Sequence, residues 1–580
     1  MNMVIYLLFG ISVALAVAKY ISTSSSKVTY PPAGDYVKLM KVLCTSQSSN
    51  GISNPEMQSK FMHFIVDLGA HSQKNKGIGY FRLPNLTPAY VLSDSDLIDQ
   101  LYLPENNSKF NQKAFFNRLA LILGPDNLMS SLLKSNTHSQ IRDAIFARNK
   151  MIMPKMGEMV TNFFHEYNVQ QHTKNSTLSE VMDALSRRIL LTTYFGEKTV
   201  EQFERIYNPE LTKALMGCLF NLEPINNTAK TYILGLRQQI FNLARSLIFT
   251  QDLTQEILQK SSWLNHLLKV KIMANPNFKT QLESLNLYKS TSELNVESCQ
   301  VLIQYAIDEN NKNNLFAESI IDVVNESFFI PLLGFDATAS TLIASLKMVL
   351  QNPRIYKIVQ EELQQLKAAG KTLELHIGKD KPLSYIEAII WETLRLSPPA
   401  PMIPEIVTQA IELQIAGETI VLNAGSILFI PLENIHLNSK NYPDIPLSGQ
   451  GEEILGKKVI DANTFFPERW GPIMPNGKAY PCFSNDNFKP LKPYELEHQG
   501  IFLSFKKGPR SCPGKNLALT EILRMFETFF SYNFILDQKE KEKSELTFNY
   551  DNPLQRNGGQ GKLGLEPVEE NPESSSFTLS

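Results

Sequence analysis

Helical periodicity from about residue 94 to 370 is the feature that most limits the folds open to this chain. Apolar residues recur there at three- and four-residue spacing, as in SEVMDALSRRILLTTYF at 179–195. Strand-like alternation is found at 77–84 and 88–93 before this stretch and at 411–432 after it. The sequence therefore predicts a mainly α protein with a small β-sheet region (an α+β fold), built around one large domain.

The charge balance limits the partners of this domain. The chain has 56 Lys and Arg against 58 Asp and Glu, so its formal net charge is −2. Nucleic-acid binding proteins carry a basic surplus or a basic stripe, which this composition does not provide. We therefore expect no nucleic-acid partner.

The first residues form an apolar segment. Val4–Ala18 carries no charged side chain, and a helix over Val4–Ile21 would be about 27 Å long, close to the thickness of a thin bilayer. The first lysines, Lys19 and Lys27, follow this run, which places the rest of the chain on the cytoplasmic side of a membrane. The sequence predicts a single-pass N-terminal anchor. A cleavable signal peptide ending at Ala16–Ala18 is the alternative.

One cysteine stands in an unusual setting. The chain has five cysteines: Cys44, Cys218, Cys299, Cys482 and Cys512. No C-x-x-C pair occurs in the sequence, which argues against a tetrahedral zinc site. Cys512 lies in FLSFKKGPRSCPGK, with Arg510 two positions before it and Gly514 two positions after it. The simplest interpretation is a small buried hydrophobe, which is usual for a free cysteine; the alternative is that another group uses the sulfur.

The residues around Cys512 resemble those of a known family. Phe505, Gly508, Arg510, Cys512 and Gly514 fit F-x-x-G-x-R-x-C-x-G, which resembles the haem-binding loop of the cytochrome P450 monooxygenases. Three other segments resemble that family in the same chain order: LGFDATAST at 333–341 (the oxygen-binding part of its central helix), the E-x-x-R of WETLR, and FFPERW at 465–470. The resemblance covers roughly residues 30–565.

This resemblance implies the cytochrome P450 fold and a division of the chain. Residues 1–21 would be the transmembrane anchor, 22–34 a linker and 35–565 a single catalytic domain. The segment 566–580, rich in Glu, Pro and Ser, is expected to be a disordered tail.

The resemblance also implies haem b, bound with Cys512 as the metal ligand. A thiolate ligand pushes electron density onto haem iron and favours O–O cleavage. Pro-Gly and a helical pattern follow Cys512, so backbone N–H groups at the start of that helix can point at the sulfur. Gly508 and Gly514 would let the backbone approach closely, and Phe505 would shield the sulfur from water.

Other residues are expected at the haem propionates. Arg510 is the natural partner for one propionate through charge-assisted hydrogen bonds. His138 and Arg142 lie four apart in THSQIR, where the family places W-x-x-x-R or H-x-x-x-R to bind propionates. Glu405 is a departure, since the family commonly has an arginine in this region, also aimed at a propionate.

Two charged segments are expected to serve the structure. Glu392 and Arg395 lie three apart and share one face of a helix. In the family this pair is buried with the arginine of the P-E-R segment, here Arg469. The resemblance therefore implies a structural triad that holds the irregular region 442–500 against the core.

The central helix departs from the family at one position. Aligning Gly334 makes Asp336 the acid, and Ala337 then stands where the family usually has a threonine that helps to protonate bound oxygen. Thr338 follows, about 100° further round an ideal helix. We predict Asp336 and Thr338 as the catalytic residues. Pro331 removes a backbone hydrogen bond to Ser327 and invites a kink.

The predicted function is a membrane-anchored haem-thiolate monooxygenase. It would use O2 and electrons from a separate reductase or ferredoxin, and hydroxylate or epoxidise an apolar substrate such as a lipid, sterol or terpene. Ala337 keeps a second interpretation open, an enzyme that uses peroxide or rearranges hydroperoxides. A haem-binding or electron-carrying protein without turnover is the third.

The redox partner is expected at a basic patch beside the loop. Lys506, Lys507, Arg510 and Lys515 are clustered there although the whole chain is nearly neutral. Such a patch would steer an acidic redox partner.

Overall fold

The computed structural model describes most of residues 55–530. Short pieces at 28–31, 35–36, 534–536 and 563–565 are also described, and the larger internal gaps are 129–135, 170–177, 216–224, 251–266, 271–275, 285–295, 309–313, 377–381 and 474–488. The predicted anchor at 1–21, most of the linker at 22–34 and the tail at 566–580 lie outside the described residues.

The described part of the chain is mostly helical. The helices are α1 (Pro55–Gln73), α2 (Ser95–Leu101), α3 (Asn117–Leu123), α4 (Asn136–Ile152), α5 (Met156–Val169), α6 (Leu178–Phe195), α7 (Lys198–Ile206), α8 (Asn227–Thr250), α9 (Pro276–Ser284), α10 (Val296–Ile307), α11 (Leu315–Leu350), α12 (Pro353–Ala368), α13 (Tyr385–Leu396), α14 (Leu432–His436), α15 (Gly449–Leu455), α16 (Pro493–His498) and α17 (Lys515–Phe529). Short 3-10 turns occur at Met153–Lys155, Pro467–Trp470 and Gly508–Arg510.

The strands are short and occur near both ends of the helical body. They are β1 (Ile78–Arg82), β2 (Pro88–Leu92), β3 (Phe110–Asn111), β4 (Met402–Val407), β5 (Ile411–Ile415), β6 (Glu418–Leu422), β7 (Ile427–Pro431), β8 (Ile445–Pro446), β9 (Val459–Ile460), β10 (Phe534–Leu536) and β11 (Leu563–Leu565). The α+β prediction is confirmed.

The long helix α11 runs through the centre of the helical body. It begins after Asn314, whose side-chain oxygen accepts a hydrogen bond from the backbone N–H of Phe316 at 2.9 Å. The helix continues through Pro331. It is apolar on most faces because it packs against helices that include α6, α8 and α10.

Helix α11 also has the length and hydropathy of a membrane span. It is the one helix among the described residues that passes this test, and 78% of its most apolar window is buried inside the protein. Burial in the core therefore accounts for its composition.

The main sheet joins the two strand regions of the sequence in the order β1-β2-β7-β4-β3. Strands β1 and β2 pair antiparallel, with Tyr80 opposite Tyr90, and β2 pairs parallel with β7. The strands predicted at 77–84, 88–93 and 411–432 are confirmed. Strand β4 was not predicted, because Pro404 interrupts its alternation; it nevertheless pairs antiparallel with β7, Ile403 opposite Ile430.

Within the region 442–500, the described residues contain more regular structure than the composition predicted. It contains the β8–β9 pair, helices α15 and α16, and the turn Pro467–Trp470. That turn packs against α13, all of whose residues are buried. This contact fixes the region beside the loop that carries Cys512.

Candidate functional site

A cavity of about 390 Å³ lies between α11 and the loop before α17. Residues of α11 that line it include Gly334, Ala337 and Thr338, and the loop contributes Cys512 and Arg510. Most of the remaining lining is apolar, which is typical of pockets for cofactors and apolar ligands. The structure thus brings the central-helix segment and the cysteine loop, about 170 residues apart in sequence, to one cavity.

Cys512 opens into this cavity while the protein encloses it on its other sides. Its backbone N–H donates to the carbonyl of Phe505 at 2.9 Å, which closes the loop. Burial raises the pKa of the Cys512 thiol, whereas the backbone N–H groups of Gly514 and Lys515 and the charge of Arg142 act in the opposite direction. These donors point toward the sulfur as the sequence suggested, and the metal-ligand role stays a prediction.

The two loop glycines differ in what they require. Gly508 has φ +82°, and a Cβ there would come within 3.3 Å of the Tyr102 ring. Its backbone therefore needs glycine. Gly514 has φ −88°, and a Cβ would meet the Cys512 sulfur at an ordinary 3.8 Å. Nothing in the polypeptide around Gly514 forbids a side chain there.

Phe505 lines the cavity on the side of the cysteine loop. Its ring contacts Trp391 edge-on at 6.2 Å, and the Lys515 ammonium lies 5.4 Å from the ring centre. This aromatic packing holds Phe505 where it can keep water from the sulfur.

Arg510 and Arg142 occupy different positions. Arg510 lines the cavity and donates to the carbonyl of Leu128 at 3.4 Å. Arg142, on α4, contacts the loop from outside, donating to the carbonyl of Pro509 and to Ser511 Oγ. His138 lies on the same helix, but its side chain is outside the described residues.

The predicted basic patch stays a prediction, and each of its three lysines forms an ion pair. Lys507 pairs with Asp99, Lys515 with Glu497 at 2.5 Å, and Lys506 with Glu405 at 2.5 Å. The Lys506 side chain is only 13% exposed and lines the cavity. Acidic partners therefore offset these lysines in part, and one of the three lies in the cavity lining.

Two hydroxyls of α11 face the cavity. Thr338 Oγ1 donates to the carbonyl of Gly334 at 2.9 Å, and Thr341 Oγ1 donates to that of Ala337 at 3.1 Å. Ala337 also lies in the lining. Asp336 is buried on the same helix, but the lining formed by the described residues does not include it. The structure thus brings Thr338 to the cavity and leaves Asp336 behind it.

Gly334 lines the cavity and also lets two helices pack closely. A Cβ at this position would come within 3.0 Å of Leu190 on α6. The close approach of α6 to α11 therefore depends on glycine here.

The charged triad is buried as expected. Glu392 accepts from Arg395 at 2.7 and 2.8 Å and lies 3.5 Å from Arg469 Nε. It also accepts the indole N–H of Trp470 and the backbone N–H of Phe466, each at 3.0 Å. Burial raises the pKa of Glu392, but the two arginines outweigh it and lower the pKa overall. These bonds attach the Pro467–Trp470 turn to α13.

His436 links this triad to the cysteine loop, and sequence reasoning missed it. Its Nδ1 donates to the carbonyl of Arg395 at 2.9 Å, and its Nε2 accepts the backbone N–H of Leu503 at 3.0 Å. The ring stacks on Phe502 at 5.3 Å. Burial lowers the pKa of His436 to about 3. A lone histidine in a strand-rich segment carries no signal of this bridging role.

Glu521, on α17, was also missed. It is fully buried in the cavity wall, and burial raises its pKa to about 8. At neutral pH it is therefore largely protonated, as a carboxyl group in an apolar wall should be.

The donor set of the cavity fits a haem. A single thiol and an apolar lining suit an iron porphyrin with one thiolate ligand. The side chains of Arg510 and Lys506 supply cations in the same lining, as the propionates require.

Comparisons with known proteins agree with this geometry. The family model described as Cytochrome P450 matches residues 85–446, which is more than half of the chain. The match includes the central-helix segment and the E-x-x-R pair, and it ends before Cys512.

Curated relatives carry the same family name. "Probable cytochrome P450 28d2" of Drosophila melanogaster is 27% identical over 311 residues, covering 51% of this chain and 52% of the relative. "Cytochrome P450 3A31" of Mesocricetus auratus is 22% identical over 483 residues, covering 80% of this chain and 81% of the relative. "Cytochrome P450 3A1" of Rattus norvegicus is 21% identical, covering 79% and 80%. The chain therefore aligns with about half the length of the fly protein and with most of the length of the mammalian ones. The family model matches more than half of the chain, and the structure has a cavity lined by a thiol. The chain therefore belongs to the cytochrome P450 family, whose members are oxidoreductases.

Proposed function

We propose that this protein is a haem-thiolate monooxygenase that takes electrons from a separate reductase and hydroxylates or epoxidises an apolar organic substrate. The observation that carries the proposal is the shared cavity, in which a single thiol and the threonine hydroxyls of α11 line one apolar space. When bound, haem b would supply the iron at which electrons and O2 react.

The polypeptide would hold the sulfur in its reactive form. Cys512 would be the ligand, with the N–H groups of Gly514 and Lys515 directed at its sulfur. Hydrogen bonds to a thiolate favour the charged form, so they offset part of the cost of burying it. Phe505, held by Trp391, would keep water away.

Thr338 would hold a proton-carrying group on the α11 side of the cavity. Its hydroxyl proton is donated to the Gly334 carbonyl, so the oxygen lone pairs are left to accept a hydrogen bond from a water or a substrate hydroxyl. Ala337 has no group for this task. Asp336 is buried away from the lining, so its action on the cavity would have to pass through Thr338 or a water.

The substrate would be apolar, such as a lipid, a sterol or a terpene. Leu123, Leu190, Phe329, Ile330 and Leu333 form much of the lining on the α11 side. Such a surface selects substrates by apolar contact and shape. The N-terminal anchor at 1–21 would bring the domain to the membrane in which apolar substrates dissolve, with the domain on the cytoplasmic side.

The thiolate assignment is tested by spectroscopy of the purified full chain. The reduced, CO-bound protein should show the red-shifted Soret band of thiolate ligation, and Cys512→Ser should lose it. Cys44→Ser, a cysteine outside the loop motif, is the matched control and should keep the band. Retention of the band in Cys512→Ser, or its absence from wild-type protein with bound haem, would refute the assignment.

Ala337 favours a second candidate, an enzyme that uses peroxide or rearranges hydroperoxides. Such chemistry needs no delivery of protons to bound oxygen, and the described lining has an alanine at the usual threonine position. Product formed per NADPH consumed in the presence of a reductase should be compared with turnover of a lipid hydroperoxide without one. For a monooxygenase, we expect NADPH-dependent product and tighter coupling in Ala337→Thr. Turnover confined to the hydroperoxide would select the second candidate.

A further inference from the structure

A buried ion pair lies beside the cavity at the position where this chain departs from its family. Glu405, on β4, is fully buried, and its Oε1 lies 2.5 Å from Lys506 Nζ. Tyr102 donates its hydroxyl to the same oxygen at 3.3 Å. The other carboxylate oxygen, Oε2, has no hydrogen-bond partner among the described residues. The pair is thus enclosed by protein: Lys506 is the member that belongs to the cavity lining, and its Nζ is buried behind that lining.

The backbone at Lys506 is set to turn its side chain inward. Lys506 has φ +58°, a left-handed conformation that residues with a Cβ rarely adopt. Its N–H donates to the carbonyl of Leu503 at 2.8 Å, within the turn that leads to the cysteine loop. Unfavourable backbone conformations of this kind persist where surrounding contacts fix them, and they are frequent at ligand sites.

Glu405 is shared between two cations of the loop. Three cations lie at or beside the loop, namely Arg142, Lys506 and Arg510, and Glu405 is the carboxylate that interacts with both Lys506 and Arg510. Lys506 therefore shares its carboxylate partner with a second cation. Burial lowers the pKa of Lys506, and Glu405 only partly opposes this effect. A second anion would therefore stabilise the ammonium, and a haem brings two propionates.

We propose that Lys506 binds a haem propionate and that Glu405 is a positioning residue that holds the lysine at the cavity wall. An ammonium has three N–H donors, so it can serve Glu405 and a propionate at the same time. The positive charge that the family places near position 405 is thus supplied here from position 506. The inference rests on the proposed function, since it presupposes that the cavity holds haem.

The experiment measures the rate at which the holoprotein loses haem to an excess of a haem-free globin. The variants are Lys506→Met, Lys506→Arg and the double variant Lys506→Met with Glu405→Gln, which leaves no unpaired buried carboxylate. The matched control is Lys507→Met, because Lys507 is on the same loop and pairs with the half-exposed Asp99. Urea midpoints of each protein report structural damage separately.

We expect haem loss about 10-fold faster in Lys506→Met and in the double variant, and within about twofold of wild type in Lys507→Met. Lys506→Arg should restore most of the retention, because it keeps the charge. With the dimethyl ester of haem, which carries no propionate charge, wild type and the double variant should lose haem at the same rate.

The outcomes separate the two claims. If the double variant retains haem like wild type, the pair has only a structural role and this inference is wrong while the proposed function stands. The same holds if the difference between the two proteins persists with the ester. If wild-type protein binds no haem, the inference and the proposed function are overturned together.

Discussion

Replacing His436 should remove one specific part of the pH dependence of stability. This ring is fully buried, with Nδ1 donating to the carbonyl of Arg395 and Nε2 accepting from Leu503. A proton on Nε2 would face the N–H of Leu503, so the folded state holds the neutral ring. Consistent with this, burial lowers the pKa of His436 to about 3 from its ordinary 6.5.

The magnitude follows from the two pKa values. Between pH 3 and 6.5 the unfolded chain binds a proton at His436 and the folded protein does not, so stability rises with pH in this window and falls on acidification. The slope approaches about 1.36 kcal/mol per pH unit well below the unfolded pKa. From about pH 6 down to about pH 4.5, His436 should therefore cost about 2 kcal/mol of the free energy of unfolding.

Two buried carboxyl groups act in the opposite direction. Burial raises the pKa of Glu362 to about 7 and that of Glu521 to about 8. Above their unfolded pKa values these groups keep a proton in the folded state that the unfolded chain releases, so their contribution is lost as pH rises toward the folded pKa. The total pH profile of the wild type is therefore not diagnostic of His436.

The assay is the difference between two proteins. Urea unfolding of the wild-type holoprotein and of His436→Gln, whose amide can still donate and accept, is followed from about pH 4.5 to about pH 6. The contributions of Glu362 and Glu521 cancel in the difference. The stability advantage of the wild type should shrink by about 2 kcal/mol on acidification. A difference independent of pH would show that His436 does not remain neutral in the fold.

Three further outcomes follow from the site. Trp470→Phe keeps an aromatic side chain but removes a 3.0 Å donor from the buried carboxylate of Glu392, so the free energy of unfolding in urea should fall by about 1.5–3 kcal/mol; an unchanged midpoint contradicts this. Gly508→Ala and Gly417→Ala both force a Cβ onto positive φ, at about 1–2 kcal/mol. Only the new Cβ of Gly508→Ala would also meet the Tyr102 ring, at 3.3 Å, so the Tm of this variant should fall further than that of Gly417→Ala. Equal losses of Tm would exclude that contact. Thr338→Val should lower O2-driven turnover about 100-fold relative to peroxide-driven turnover, with Thr341→Val as control; parallel losses in both assays would exclude Thr338 from proton transfer.

Local patterns in the sequence predicted most of the fold. The helical period identified α6 and α11 because each has one or more faces buried against neighbours over several turns. The β1–β2 pair followed from two short alternating segments with a turn between them. Strand β4 was missed because its pairing with β7 comes from tertiary contact and overrides the local effect of Pro404.

The site was predictable where spacing along the chain carries the chemistry. The F-x-x-G-x-R-x-C-x-G spacing identified Cys512, which lines the same cavity as Thr338. The E-x-x-R spacing identified the buried Glu392–Arg395 pair. His436 has no such spacing, since its two partners lie 41 and 67 residues away in sequence. Its role depends on which elements the fold brings together, which no local pattern records.

The two anomalies that the sequence showed separately have one physical explanation in the structure. Glu405 was unexpected where an arginine is common, and Lys506 was assigned to a surface patch because it stands next to Lys507. Their charged groups are 2.5 Å apart, although 101 positions separate them in sequence. Removing one partner of a buried ion pair costs several kcal/mol, so Glu405 and Lys506 depend on each other. Lys506 combines this contact with a left-handed backbone and a place in the cavity lining. The lysines of the loop therefore have to be assigned one by one, because adjacent positions on a tight turn point to different environments.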